Sequence, residues 1–441
     1  MWFVSRCKKL LPRSASGWRR VGAPKGSLRH HEIAVIGAGI VGVSTALWLQ
    51  RDGHDVALID PGDPGQATSY GNAGVIAAIS VVPVTVPGLV LKAPKMLLDS
   101  MSPLYLRWRH LPKLLPWLLP YLRQCDAARS RATSVGLAAL ISDSVEQHHA
   151  LAEGTEAARY LVDTDYLFAY GTREGYDAER FIWQLRQDEG FSWEFLEGAA
   201  LRDFEPSLGP AVGFAVRCPN HAMVRDPGRY VAALAQHFIG QGGRHLRAEV
   251  EEIKREAGRV SGLKTSDGDM TCEKVVVAAG PWSARLTRRL GMKTPLEAER
   301  GYHIEFPDPE VMPHCPVMFS TSKFIASPME GRLRCAGVIE FAGLDAPEYT
   351  QPPLMLEKHA RAAFPGLKAA RNGTWMGRRP ASIDSLPFLG EAASIKGLYC
   401  GFGHHHVGLT GGPKTGRLLS DLISGRQPNI DLAPYRVDRF H

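Results

Sequence analysis

Residues 31–60, HEIAVIGAGIVGVSTALWLQRDGHDVALID, constrain this chain more than any other stretch, because they encode in order a strand, a glycine turn, a helix and a second strand. Residues 32–36 carry a short apolar run, as expected of a parallel strand buried on both faces. The run ends in Gly37-Ala38-Gly39-Ile40-Val41-Gly42, which spells G-x-G-x-x-G. Gly37 permits the tight turn, Gly39 lets backbone approach a pyrophosphate, and Gly42 lets the helix pack close to the strand. The amides at the helix start, Ile40 and Val41, then face the phosphates. Residues 41–51 predict that helix, Gly53 ends it, and residues 55–59 predict the second strand. Asp60 arrives at the strand tip about twenty residues after the glycines, where its carboxylate can accept from ribose hydroxyls. The stretch therefore predicts a dinucleotide whose adenosine keeps a free 2′-hydroxyl. FAD and NAD share this grip, so later stretches must choose between them.

At 441 residues the chain has room for two domains, and 44% hydrophobic with 22% charged residues is ordinary for a globular protein. The net charge of +7 is concentrated at one end: residues 1–31 carry eight Lys and Arg and no acid, which leaves about −1 for the rest. The basic balance is thus no argument for nucleic acid. Seven scattered cysteines without a C-x-x-C pair argue against a disulfide framework or a zinc site and for a reducing compartment. Residues 1–31 precede the strand that opens such domains and are expected outside the fold, as a disordered tail or an organellar targeting segment.

After Asp60, PGDPGQATSYGNAGVI reads as a loop rich in exposed amides that can wrap a cofactor. Residues 80–125 are apolar and aromatic but cut by proline and by Lys or Arg, too interrupted for a membrane span. They predict short buried helices, or a patch dipping into the membrane interface through Trp108, Trp117, Tyr105 and Tyr121 among Arg107, Arg109, Lys113 and Arg123. Residues 131–160 predict one long helix, 166–170 a strand, and 228–241 a helix returning to the nucleotide domain. Residues 248–264 predict a hairpin, and 273–278 a buried strand closing on Gly280, where a ligand can approach. From 294 to 372 the pattern is that of an antiparallel sheet, and 397–428 repeat the strand–turn–helix logic, with the helix N-terminus expected at Gly411-Gly412.

The stretches GAGIVGVSTALWL, ATSYGNAGVI, VPGLVLKAPKML, RGYHIEF, GRRPASIDSLPFLG and GFGHHHVGLTGGPKTGRLLSDLISGR together resemble the FAD-dependent D-amino-acid oxidase superfamily, and within it bacterial D-amino-acid dehydrogenase. The resemblance runs from about residue 32 to 430 and implies an α/β fold: an FAD-binding Rossmann-like domain interleaved with an α+β substrate domain containing an antiparallel sheet. The expected FAD segments are 32–80, 225–290 and 375–430; the expected substrate segments are 81–224 and 291–374. A NAD-linked enzyme would not need the glycine-rich C-terminal return.

The resemblance also implies residues. Arg379, in GRRP, would clamp a substrate carboxylate, although the neighbouring Arg378 leaves open which guanidinium reaches in. Tyr302 would line the pocket, and His404, opening the HHH run, would sit at the flavin edge. Ser69, Asn72, Ala73 and Gly74 would meet pyrophosphate or ring, Val250 the adenine, and Gly408, Gly411 and Gly412 the reduced flavin. No metal is expected, since three successive histidines do not share a face. The implied reaction is hydride transfer from Cα to flavin N5, followed by hydrolysis of the imine to a 2-oxo acid. The rivals are a D-hydroxyproline or sarcosine-type secondary-amine enzyme, and the flavin subunit of a multi-protein dehydrogenase. The extra imidazoles would favour a polar, hydroxylated ring substrate. The expected electron acceptor is oxygen or a quinone, and the expected location is the cytoplasm, with peripheral attachment to the inner membrane as an alternative.

Overall fold

The computed structural model describes residues 29–98 and 102–440. Two sheets organise them. In the first, Arg29–Ile36 runs parallel between Val56–Ile59 and Gly268–Val277. Arg244–Leu246 extends the sheet on one side, and Leu398–Phe402 with antiparallel Phe388–Glu391 on the other. The hairpin Val250–Glu256 and Arg259–Thr265 joins through Gly268–Val277. Ile33, Ala34, Val35, Val275, Val276 and Val277 are all buried, which explains why their sequence shows no polar alternation.

The second sheet runs in the order Asn372–Ser382, Leu296–Pro307, Arg332–Phe341, Phe324–Met329, Val317–Phe319, Leu161–Tyr170, Phe214–Val224 and Val75–Ile76. The strands from Leu296–Pro307 through Arg332–Phe341, with Asn372–Ser382, pair antiparallel as expected; strands from earlier in the chain add two parallel pairs, Val317–Phe319 with Leu161–Tyr170 and Leu104–Leu106 with Arg332–Phe341.

Several boundaries differ from the sequence expectation. Arg29–Ile36 begins inside the basic extension, because residues 29–31 pair with Met270–Cys272 and buried His31 meets Asp55 at 3.0 Å; residues 1–28 lie outside the described residues. The return to the nucleotide-binding layer, expected at 375, comes instead with Phe388–Glu391, because Asn372–Ser382 pairs in register with Leu296–Pro307. The helix expected over 131–160 breaks into Ala127–Ile141 and Ser144–Ala152. Asp143, at the break, is drawn to Lys414 Nζ at 2.8 Å.

Gly411 and Gly412 do not start a helix; they lie inside Gly408–Ile423. A Cβ on Gly412 would meet Ile40 at 2.9 Å, and one on Gly416 would meet the Ser44 and Thr45 backbone at 2.7 Å. The glycines therefore let this helix press against Ile40–Arg51, which is the reason for their spacing. The expected interfacial patch is also revised. Helix Leu111–Leu122 buries Leu114, Trp117 and Tyr121, with Trp117 Nε1 donating to Ala381 O at 3.1 Å. Leu115 and Leu119 of the same helix stay exposed, as do Trp108, Val90 and Leu91. Among the described residues, no helix is long and apolar enough to cross a membrane.

Two predictions follow from this packing. Gly416→Ala is expected to lower unfolding stability by about 1–3 kcal/mol, measured by denaturant titration, because backbone cannot yield to the new methyl. Stability is also expected to depend on two neutral buried histidines. His148 donates from Nε2 to Leu409 O and accepts at Nδ1 from Tyr230 Oη, and burial pushes its pKa down to about 4. His303 donates from Nδ1 to Gly71 O, and burial with Arg334 nearby pushes it down to about 3. The unfolded chain binds these protons at a higher pH than the folded one, so the contribution is complete above the ordinary value of about 6.5 and shrinks as pH falls below it. Thermal unfolding should show a flat Tm above pH 7 and a decline that begins near pH 6.5; a Tm unchanged down to pH 4.5 would contradict this.

Candidate active site

A cavity of about 1360 Å³ lies between the two sheets, lined by residues of both. At one end is the glycine turn. Gly37 has φ +107°, and a Cβ there would meet Ala278 O at 2.5 Å, so only glycine fits. Gly42 sits against the Gly37 carbonyl, too close for any side chain, and lies behind the cavity wall. Ser69 Oγ accepts the Ile40 N–H at 3.0 Å. The Ile40 amide expected to face phosphate is therefore already capped, and Gly39 and Val41 carry the amides that line the cavity without a partner among the described residues. No acid occupies the first turn of that helix.

Asp60 Oδ2 accepts from Ala38 N at 2.8 Å and Oδ1 from Gly62 N at 2.7 Å. The carboxylate thus fastens the turn and retains lone pairs toward the cavity. Asn72 Oδ1 accepts from Gly74 N at 2.7 Å, which shapes the loop at Ala73. Ser69, Asn72, Ala73, Val250, Gly280 and Gly408 all line the cavity, whereas Gly74, Gly411 and Gly412 pack behind it. Gly74 faces Val224 O, and Gly411 faces Leu140 and Ile141. Open amides without a competing acid, a carboxylate at the strand tip and this volume suit a dinucleotide cofactor.

Strand register decides the other end. Glu299, Gly301 and His303 pair with Arg379, Gly377 and Trp375, which puts all six on one face of the sheet. Arg379 lines the cavity and Arg378 points to the opposite face, where its Nε donates to Leu344 O at 2.5 Å. Arg379 Nη1 donates to Glu299 Oε1 at 2.7 Å and to Val338 O at 3.0 Å. Its Nη2 and Nε bond to nothing among the described residues.

Glu299 was not anticipated from sequence. Burial opposes its ionisation, but the facing His405 and the Arg379 guanidinium hold its carboxyl below the usual range. His405 Nε2 stands 3.3 Å from Glu299 Oε2, and the His405 backbone N–H donates to Pro380 O at 3.0 Å. The only sequence signal was the A-E-R-G-Y-H alternation, whose acid gains meaning once Arg379 is known to lie opposite.

The remaining expected residues behave differently from one another. Tyr302 borders the cavity, but its ring packs in the core on the far face, and its hydroxyl is engaged by Glu340 Oε2 at 2.5 Å and Tyr349 N at 3.0 Å. Arg379 and the Tyr302 hydroxyl are therefore not brought together. His404 lines the cavity and meets Thr415 Oγ1 at 2.9 Å, and burial pushes it down to about 4, so it is neutral near pH 7. Only His406 of the three is exposed, along the cavity wall. Among the described residues no cluster of His, Cys, Asp or Glu could hold a metal ion.

The model of one protein family, FAD dependent oxidoreductase, matches residues 32–422. The chain belongs to that family. It is 40% identical to a D-amino-acid oxidase of Bradyrhizobium diazoefficiens, over 92% of this chain and 98% of that one. It is 30% identical to D-amino acid dehydrogenase 1 of Mesorhizobium japonicum, over 93% and 99%. Among solved structures, an L-proline dehydrogenase from P. horikoshii shares the fold with a TM-score of 0.73, at 19% identity over 94% of this chain and 98% of that one. The expected FAD-binding Rossmann-like fold with a second domain is thus that of an FAD-dependent oxidoreductase, and FAD is its cofactor. Gly39, Val41 and Asp60 line the cavity at its glycine-turn end. Asp60→Ala is expected to weaken FAD retention roughly tenfold to hundredfold, read from flavin released on dialysis, because two backbone donors lose a charged acceptor.

Proposed function

We propose that this chain oxidises D-amino acids to 2-oxo acids. The observation that carries the reading is the half-used guanidinium of Arg379 on the cavity wall: Glu299 and Val338 O take Nη1, while Nη2 and Nε make no hydrogen bond among the described residues. That Nη2 and Nε edge matches a carboxylate bidentately and holds the substrate by the group every amino acid has. Bound FAD supplies the acceptor for the hydride leaving Cα. Arg379 orients Cα, and Glu299 keeps the guanidinium from swinging. His404, neutral and bonded to Thr415, adds no positive charge beside the reacting carbon. Loss of the hydride and of an amine proton leaves an imine, which water splits into the 2-oxo acid and ammonia. The D configuration is supported by the names of the two relatives, one an oxidase and one a dehydrogenase.

The test is anaerobic bleaching of the FAD-loaded protein by D-amino acids, their L-enantiomers, D-hydroxyproline, sarcosine and glycine. Bleaching by D-amino acids in preference to the others is expected; preferential bleaching by sarcosine or D-hydroxyproline would make the substrate a secondary amine, and no bleaching would favour a subunit role. Rapid return of colour in air would make oxygen the acceptor, and persistence would point to a separate acceptor such as a quinone. Arg379→Met is expected to lower kcat/KM for bleaching by about a hundredfold or more with FAD still bound.

A further inference from the structure

Where strand Leu161–Tyr170 and helix Arg180–Asp188 form the cavity wall, that wall holds a second cation, and no carboxylate meets it among the described residues. Arg186 is 8% exposed and lies over the ring faces of Trp183 and Phe168, at 4.2 and 4.7 Å. Its Nε reaches only Ile79 O, at a long 3.4 Å, and its Nη1 is buried with no partner. Nη2 makes no hydrogen bond among the described residues either. Glu179, the acid on this part of the wall, is already engaged by Lys323 Nζ at 2.6 Å and by Tyr170 Oη at 2.8 Å.

Tyr166 stands beside Arg186 on the same wall. Burial raises the pKa of its phenol and the Arg186 charge pulls it back, so the two groups sense each other. The Tyr166 hydroxyl has no hydrogen bond among the described residues. Ring faces compensate part of a buried guanidinium's lost hydration, but they offer its N–H groups no acceptor. Donors from an Arg fork and a phenol, with no acceptor between them, are complementary to a carboxylate. The neighbouring Phe168, Ile182, Met318 and Ile325 are apolar and leave only a single charge to be matched.

We propose that Arg186 and Tyr166 form a second carboxylate-binding site in this cavity, separate from the Arg379 clamp, and that it takes a small monocarboxylate. The proposal goes beyond the substrate assignment and does not depend on which amine is oxidised. Its ligand is either free in solution or the carboxylate of a product molecule; both present the same group.

Propionate is the probe, titrated calorimetrically into the FAD-loaded protein, so that no turnover is needed. Arg379→Met is expected to retain a propionate site. Adding Arg186→Met to that variant is expected to weaken it at least tenfold, and adding Tyr166→Phe to weaken it less. Without propionate, Arg186→Met should unfold no earlier than the parent, and it should lose the rise in Tm that propionate gives the parent. Arg186→Lys, which keeps charge and stem but not the fork, answers independently of any folding defect, with weakened propionate binding in a folded protein. The proposal is overturned if Arg379→Met alone abolishes propionate binding, if Arg186→Lys binds propionate as tightly as the parent, or if Arg186→Met unfolds markedly earlier, which would give the guanidinium a packing role. If the site is filled by product, pyruvate should bind it at least as tightly as propionate; if pyruvate does not bind, the proposal fails.

Discussion

The close seam between helices Ile40–Arg51 and Gly408–Ile423 is the contact on which the remaining arrangement depends. Gly412 rests on Ile40, and Gly416 on the backbone of Ser44 and Thr45, at distances no larger residue could occupy. This seam ties the first supersecondary unit of the chain to the last. It also brings the His404–His406 turn, which immediately precedes the C-terminal helix, to the cavity wall. Lys414 extends the tie by bonding Asp143 and Ala139 O, which anchors the intervening helices. Small residues matter here because helix separation is set by what lies between the backbones.

Electrostatics takes over where packing ends. Glu299 is a buried carboxylate made tolerable by Arg379 on the paired strand and His405 on the C-terminal turn. One acid thus joins two sheet strands to a turn from the nucleotide-binding layer, and occupies one terminal nitrogen of the guanidinium. A second buried acid, Glu340, does comparable work on the opposite face, where Arg107, Arg300 and the Tyr302 hydroxyl converge on it. The sheet therefore separates two polar networks, and alternation along Leu296–Pro307 decides which residue joins which.

That alternation explains what was legible in advance. The glycine turn, Asp60 and Arg379 were legible as positions on the cavity wall because each belongs to a short local pattern. Tyr302 borders the cavity as expected, but a pocket tyrosine and a core tyrosine look identical in sequence; only the register with Met376 and Gly337 shows its hydroxyl turned to Glu340. Gly411 and Gly412 misled, since glycine permits close approach without saying whether a ligand or a helix approaches. Trp117 and Tyr121 looked suited to a membrane interface, yet both are buried with their rings stacked on each other at 4.4 Å, because the helix face they share is the one that packs on Ala381 and Ile383.

By itself the sequence determined the nucleotide-binding start, its glycine turn and its terminal acid, because a strand, a turn and a helix within thirty or so residues obey local steric and hydrogen-bonding rules. It also determined that a second, β-rich unit follows. Only the tertiary structure decided which carboxylate holds Arg379, which of three cavity-lining histidines is exposed, and that Arg186 meets no carboxylate among the described residues. Those facts depend on residues far apart in sequence meeting across a sheet, and the energy of a buried charge is set by what surrounds it in space rather than by its neighbours along the chain.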